Sequence, residues 1–159
     1  MTSEERRTLI DQYSDGYRVV AEALTGADDE HLDARPAPGK WTAREVVHHL
    51  ADSEMAAAFR LRLLVAVDNP AIHGYDQEEF ARRLFYNRPI AASLEAFKAA
   101  RRSTAEILES MTDADWRRSG SHTEHNGSYT PERWLEIYAP HAHQHAEQIA
   151  VALESARVG

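Results

Sequence analysis

Thr42-Ala43-Arg44-Glu45-Val46-Val47-His48-His49-Leu50-Ala51-Asp52-Ser53 opens with a helix start and continues as a helical stripe. Threonine followed three residues later by glutamate is a capping box, in which each side chain satisfies the other residue's free amide. The pattern runs to about Val67 and is stopped by Asp68-Asn69-Pro70. At about 100° per residue, Val46, Leu50, Ser53, Ala57, Leu61 and Leu64 share one face. His49 lies on the flank of that face, beside Ser53, Ala56 and Arg60, whereas His48 points away with Met55 and Phe59.

Upstream, a first helix is predicted from Ser3 to Leu24. Thr2 and Glu5 form its capping box, and Leu9, Tyr13, Tyr17, Val20 and Leu24 form its stripe. Gly26 supplies a left-handed stop. Asp28 to Ala34 reads as a short helical turn, and Arg35-Pro36-Ala37-Pro38-Gly39 as a connector. Downstream, 69–92 is irregular, with a short helix over Asp76 to Phe85 and a break at Arg88-Pro89. A third long helix is expected from an N-cap at Ser93, burying Leu94, Phe97, Thr104, Leu108 and Met111, with Arg101 as an interruption. Thr112 to Trp116 forms a short turn, and the polar 118–130 stretch reads as a loop. Thr130-Pro131-Glu132 starts the last helix, with threonine as cap and proline at the first helical position. Its inner face carries Trp134, Tyr138, His141, His145, Ile149 and Ala152, and Pro140 is expected to kink it. Four long amphipathic helices without a strand pattern predict an all-α four-helix bundle, a single domain over residues 1–159. The length of 69–92 leaves room for a crossover connection.

Composition narrows the function classes. Eighteen Lys and Arg against 26 Asp and Glu give a net charge of −8, which argues against a phosphate-backbone binder. The absence of cysteine excludes a disulfide framework, thiolate metal ligation and a protein thiol nucleophile, but not thiol chemistry on a bound small molecule. No apolar run approaches the roughly 18 residues of a membrane span, and Met1 to Arg7 carries no signal-like apolar segment. A cytoplasmic protein is expected, with a small-molecule substrate and no nucleic-acid or membrane partner. Asn126-Gly127-Ser128 is then a chance match to a glycosylation sequon. Phosphate-loop, dinucleotide, nucleophile-elbow and HExxH motifs are absent.

The 9 histidines are the chemically informative residues. His141 and His145 are spaced i, i+4, which stacks both rings on one helix face, about 5–6 Å apart at Cβ. Two neutral imidazoles on a core-facing edge can share a divalent metal. His49 is the candidate third ligand, because it alone among the other helical histidines turns towards an inner face. The competing reading is a pair of core histidines satisfied by Tyr138, Ser53 or a water, since burying an unpaired polar ring costs roughly 1–3 kcal/mol. His143 faces outwards. His122 and His125 would line an entrance, and His31 and His73 sit at the surface or in loops. Asp52, Arg60 and Tyr138 are candidates for supporting the ligands or lining a pocket, while Glu54 is expected on a solvated flank. No catalytic side chain is assigned by spacing.

Trp41 to Met55 resembles the second-helix signature of the DinB-like superfamily, and most closely its YfiT-like branch. Arg60-Leu61-Arg62, Pro70-Ala71-Ile72-His73-Gly74-Tyr75-Asp76 and His141-Ala142-His143-Gln144-His145 extend the likeness over Trp41 to Ile149. The resemblance implies a four-helix bundle, commonly dimeric, with one divalent ion held by His49, His141 and His145. Glu54 stands where that branch often has His, Phe80 where it often has Trp, and the branch's N-terminal extension is largely missing. The resemblance also implies mixed chemistry, from thiol S-transferases using bacillithiol, mycothiol or glutathione to metal-dependent hydrolases. Three imidazoles leave a four-coordinate ion one open position, the mark of a catalytic site. Transfer of a low-molecular-weight thiol cosubstrate to an electrophilic small molecule is the expected reaction. Hydrolysis by metal-bound water and a non-catalytic metal-binding stress protein are the alternatives. Histidine-only ligation suits Zn, Ni, Fe, Co or Cu, with Zn or Ni the expected ion.

Overall fold

The computed structural model describes residues 1–158. Four long helices, α1 (Ser3–Ala23), α3 (Ala43–Ala66), α5 (Ala91–Ser110) and α7 (Pro131–Val158), make the bundle. Short helices α2 (Asp29–Asp33), α4 (Gln77–Arg83) and α6 (Asp113–Trp116) lie in the connections. Capping boxes close at Thr2, Thr42 and Thr112, each pairing with an acidic residue three positions on. None of the described helices is long and apolar enough to cross a membrane.

The helix α1 packs on α7 and α5, and α3 packs on α5 and α7. Consecutive α1 and α3 are therefore diagonal partners, as are α5 and α7. The chain crosses the bundle through 24–42 and 111–130, whereas 69–92 joins two neighbours. The room for a crossover inferred for 69–92 is not used that way, because that segment is occupied by α4 and a strand.

The expected loop over 118–130 is a correction. It holds β2 (Gly120–His122) and β3 (His125–Tyr129), antiparallel to each other, and β2 pairs in parallel with β1 (Ala71–Ile72). Ala71 aligns with Ser121 and Ile72 with His122, while Gly120 faces Tyr129 and His122 faces His125. Only Ile72, His122 and Tyr129 of these strands are buried. With one buried residue per strand there is no alternation to read, which is why hydrophobic periodicity misses the sheet.

Other side chains also depart from expectation. Helix α5 begins at Ala91 behind Ile90, and Ser93 is buried inside it rather than capping it. Its hydroxyl lies 2.8 Å from Nδ1 of His48, whose Nε2 lies 2.9 Å from the Arg88 carbonyl. The carbonyl can only accept, so Nε2 carries the proton and Nδ1 accepts from Ser93. His48 does point away from the other histidines, but into the α3–α5 contact and not into solvent.

Glu54 is 1 % exposed, contrary to its expected place on a solvated flank, and Arg101 is equally buried opposite it. The two form an ion pair that the Tyr13 hydroxyl joins by donating to Glu54. Arg101 also donates to the Tyr13 carbonyl at 2.6 Å and to the Tyr138 carbonyl at 3.0 Å. The apparent interruption in the α5 stripe thus ties α1, α3, α5 and α7 together. Gly16 makes room for it, since a Cβ there would stand 2.5 Å from Arg101 Nε and 2.7 Å from Ala142 Cβ. Apolar clusters lie on both sides of this network, one around Tyr13, Leu61, Leu64 and Trp134, the other around Val20, Leu50, Phe97 and Ile149.

Candidate metal centre

Helix α7 stays helical through Pro140, whose ring removes only the amide that would reach the Glu136 carbonyl. His141 and His145 follow on the next turns and face α3, where His49 projects from its second turn. The three rings converge, each offering a nitrogen within 4.8 Å of the others. Nε2 of His141 and Nε2 of His145 are 3.2 Å apart. The ring of His49 stands 5.6 Å from that of His141 and 4.8 Å from that of His145. Trp41 covers its other side, ring centres 4.9 Å apart.

Electrostatics keep these rings neutral. Burial pushes His49 down to about 4, with the neighbouring His145 adding to the shift. Burial likewise lowers His141 well below the usual histidine range, helped by His145 and His49. His145 is lowered by burial and partly restored by Gln148, whose amide oxygen lies 2.8 Å from Nδ1. That contact fixes Nδ1–H and leaves the Nε2 lone pair towards His141, the arrangement metal-binding histidines require. Nδ1 of His49 is buried with no hydrogen-bond partner. Two neutral imidazoles can share one proton, but three cannot all be satisfied that way. A divalent cation accepting their lone pairs fits the donor set.

A cavity of about 730 Å³ opens beside the cluster, with His49 and His141 in its wall. Ser53, Arg60 and Tyr138 line it from the bundle, and the β1–α4 segment and the β2–β3 hairpin close its far side. Arg60 donates to the Tyr138 hydroxyl at 2.9 Å and to the His73 carbonyl at 2.6 Å, and its guanidinium lies 5.5 Å from the centre of the Tyr75 ring. Burial raises the Tyr138 phenol, and Arg60 pulls in the opposite direction. His122 and His125, 4.7 Å apart at their centres, stand in the hairpin wall with Glu124. Gly74 is the close-approach point there, since a Cβ would collide with the Glu124 carboxylate.

The structure thus brings His49, His141 and His145 together, with Arg60 and Tyr138 in the adjoining cavity. Asp52 does not join them. It accepts from the Tyr86 hydroxyl at 2.7 Å, and neither it nor Tyr138 bonds a ring nitrogen of the cluster. His143 keeps a long 3.3 Å contact to Asp15 on the α1 side. Sequence reasoning missed Gln148, although its i, i+3 spacing from His145 was readable. It also missed Tyr75 and the wall position of Glu124, which depend on the sheet.

A helical bundle in which three neutral imidazoles converge, two of them in the wall of a cavity, defines a candidate metalloprotein of the histidine-only type. The sequence profile of the DinB superfamily matches residues 12–149, and the chain belongs to that superfamily, in its YfiT-like branch. It is 35% identical over 140 residues to the Oceanobacillus iheyensis protein named "Putative metal-dependent hydrolase OB0782", covering 88% of this chain and 81% of that one. It is 30% identical over 150 residues to a similarly named protein, YfiT of Bacillus subtilis, covering 94% and 84% respectively. The solved structure of YfiT superposes with a TM-score of 0.87 at 28% identity, over 99% of this chain and 89% of that one. That structure is described as a probable metal-dependent hydrolase with an unusual four-helix bundle topology.

Proposed function

We propose that this chain is a divalent-metal-dependent enzyme that transfers a low-molecular-weight thiol to an electrophilic small molecule in the cavity beside the histidine cluster. The observation that carries the reading is that His49 and His141 belong at once to the cluster and to the cavity wall. His49, His141 and His145 would hold the ion, proposed to be Zn or Ni, and a three-ligand site keeps a position for an exogenous group. When bound, the ion would supply Lewis acidity, the chemistry that eases loss of a proton from a thiol or from water. Sulfur then forms a bond to an electrophilic carbon as the leaving group departs, and the thiol proton passes to solvent through the open cavity. Tyr138, Arg60 and Ser53 would orient the electrophile. Among the described residues no carboxylate hydrogen-bonds any of the three rings, and thiol transfer needs no separate base once the thiol is ionised.

Hydrolysis is the second reading. The relatives' names favour it, as does Glu124 in the cavity wall, a carboxylate available as a general base. The decisive experiment loads the untagged protein with Zn or Ni and follows monobromobimane with glutathione beside a nitrophenyl ester. Thiol- and metal-dependent bimane consumption supports transfer. Ester cleavage at the same rate without thiol establishes hydrolysis instead. Metal uptake with neither activity makes the protein a binding module. The working molecule is proposed to be a cytoplasmic homodimer. Met55 and Phe59, both exposed and one turn apart on α3, support the pairing, which sedimentation equilibrium at twice the 17.9 kDa chain mass would verify.

A further inference from the structure

We propose that Arg60 binds a carboxylate group of the small-molecule substrate, so that the cavity selects anionic substrates. The inference rests on the reading of this cavity as the substrate chamber. Three arginines are buried among the described residues. Arg44 pairs with Asp29 and Asp33, and Arg101 pairs with Glu54. Arg60, 8% exposed, has no carboxylate of the described residues within ion-pair distance, and its partners are a phenol hydroxyl, a backbone carbonyl and a tyrosine face. A guanidinium keeps its charge in any protein environment, and a buried charge without a counter-charge is expensive. The fold therefore maintains a cation with no direct ion pair in the wall of a chamber, and an entering anion is a group that can pair with it.

The donor geometry suits a carboxylate. Of the five N–H groups on Arg60, Tyr138 and His73 take one each, leaving three for a ligand. A planar fork of this kind matches a carboxylate two-pronged. Placement on the helix links the anchor to the chemistry. Arg60 follows His49 by eleven residues, three turns plus about 20°, so both stand on one face of α3. Tyr138 links Arg60 to the cluster through His141, its hydroxyl on Arg60 and its ring 5.9 Å from that of His141. A substrate held by its carboxylate at Arg60 would extend its reacting end along Tyr138 towards the histidines. The acidic wall residues Asp76, Glu78 and Glu124 are all exposed, where water screens them, and Asp76 is engaged in capping α4.

The test uses the full chain freed of metal, so that its outcome is separate from metal content and from turnover. Succinate and its uncharged analogue succinamide are titrated by calorimetry, with the Arg60 Nε–H resonance followed by NMR as the reporter. Saturable succinate binding is expected in the wild type and in His143→Ala, weakened at least tenfold in Arg60→Met, with no binding of succinamide. Thermal unfolding confirms that each variant is folded. Should Arg60→Met not fold, Arg60→Lys keeps the charge and loses the fork, and a drop of threefold or more is expected there. No saturable binding, an unchanged affinity in a folded Arg60 variant, or a loss in His143→Ala would each overturn the proposal.

Discussion

Glu54 and Arg101 bury opposite charges at the centre of the bundle, so removing one leaves the other stranded in a medium that cannot solvate it. Breaking such a pair costs about 3–5 kcal/mol, whereas replacing both partners with well-packed apolar groups can be neutral. Arg101→Met is therefore expected to lower urea stability by that amount, and the double variant Glu54→Leu/Arg101→Met to recover much of it. An additive double variant would mean that the two residues act separately. The histidines divide in the same way by their contacts. His49→Ala, His141→Ala and His145→Ala should each abolish tight Zn binding, because each removes one of three converging nitrogens. His143→Ala should leave the metal content, read by mass spectrometry, unchanged, and affect stability by no more than about 0.5 kcal/mol, since its one contact is half-exposed and long. Equal retention in all four variants would dissolve the cluster assignment. The triad could be anticipated because i, i+4 spacing and a helical wheel are local geometry. The partners of Glu54 could not, because Tyr13 and Arg101 lie 41 and 47 residues away and meet it only through tertiary packing.

The long helices were legible because their signals are also local: threonine–acid capping boxes at Thr2 and Thr42, and stripes at three- and four-residue steps. The sheet was not, because β1 has two residues and its partner lies some 50 positions downstream. Yet this sheet closes the far wall of the cavity. Gly120 is its tight point, since a Cβ there would collide with the Pro70 carbonyl, and backbone cannot move aside as a side-chain tip can. Gly120→Ala is thus expected to push β2 off β1 and loosen the hairpin that carries His122, Glu124 and His125. The bundle itself should hold, because none of its four long helices packs through Gly120. Hydrogen exchange would show the change as faster exchange of the Ser121 and Thr123 amides, which donate to the Pro70 and Ile72 carbonyls, with α3 and α7 protected as before. Unchanged exchange at both amides would mean that the strand adapts without parting.

The bundle concentrates imidazoles where water is scarce, and this links its stability to pH. Burial is the leading cause of the lowered pKa of His48, His49, His122, His141 and His145 in the folded chain. In the unfolded chain each ring returns to about 6.5. Below that pH the unfolded state binds more protons than the folded one, so stability falls as the medium is acidified. The contribution of these rings is fully present above pH about 6.5 and is lost progressively towards the folded values, about 4 for His49. Each ring that stays neutral while its unfolded counterpart is charged adds a slope of about 1.4 kcal/mol per pH unit. Metal-free protein unfolded in urea at pH 8.5, 7.5, 5.5 and 4.5 should therefore show a plateau between the first two and a steepening loss below, with proton uptake on unfolding. A divalent ion on His49, His141 and His145 binds the folded state and keeps protons off the same nitrogens, so adding Zn should raise stability while leaving the onset of the loss at pH about 6.5 and carrying the loss to lower pH. Stability that stayed flat from pH 7.5 to 4.5 without metal would show that the rings titrate as they do in water, and that the cluster is more open than its burial implies.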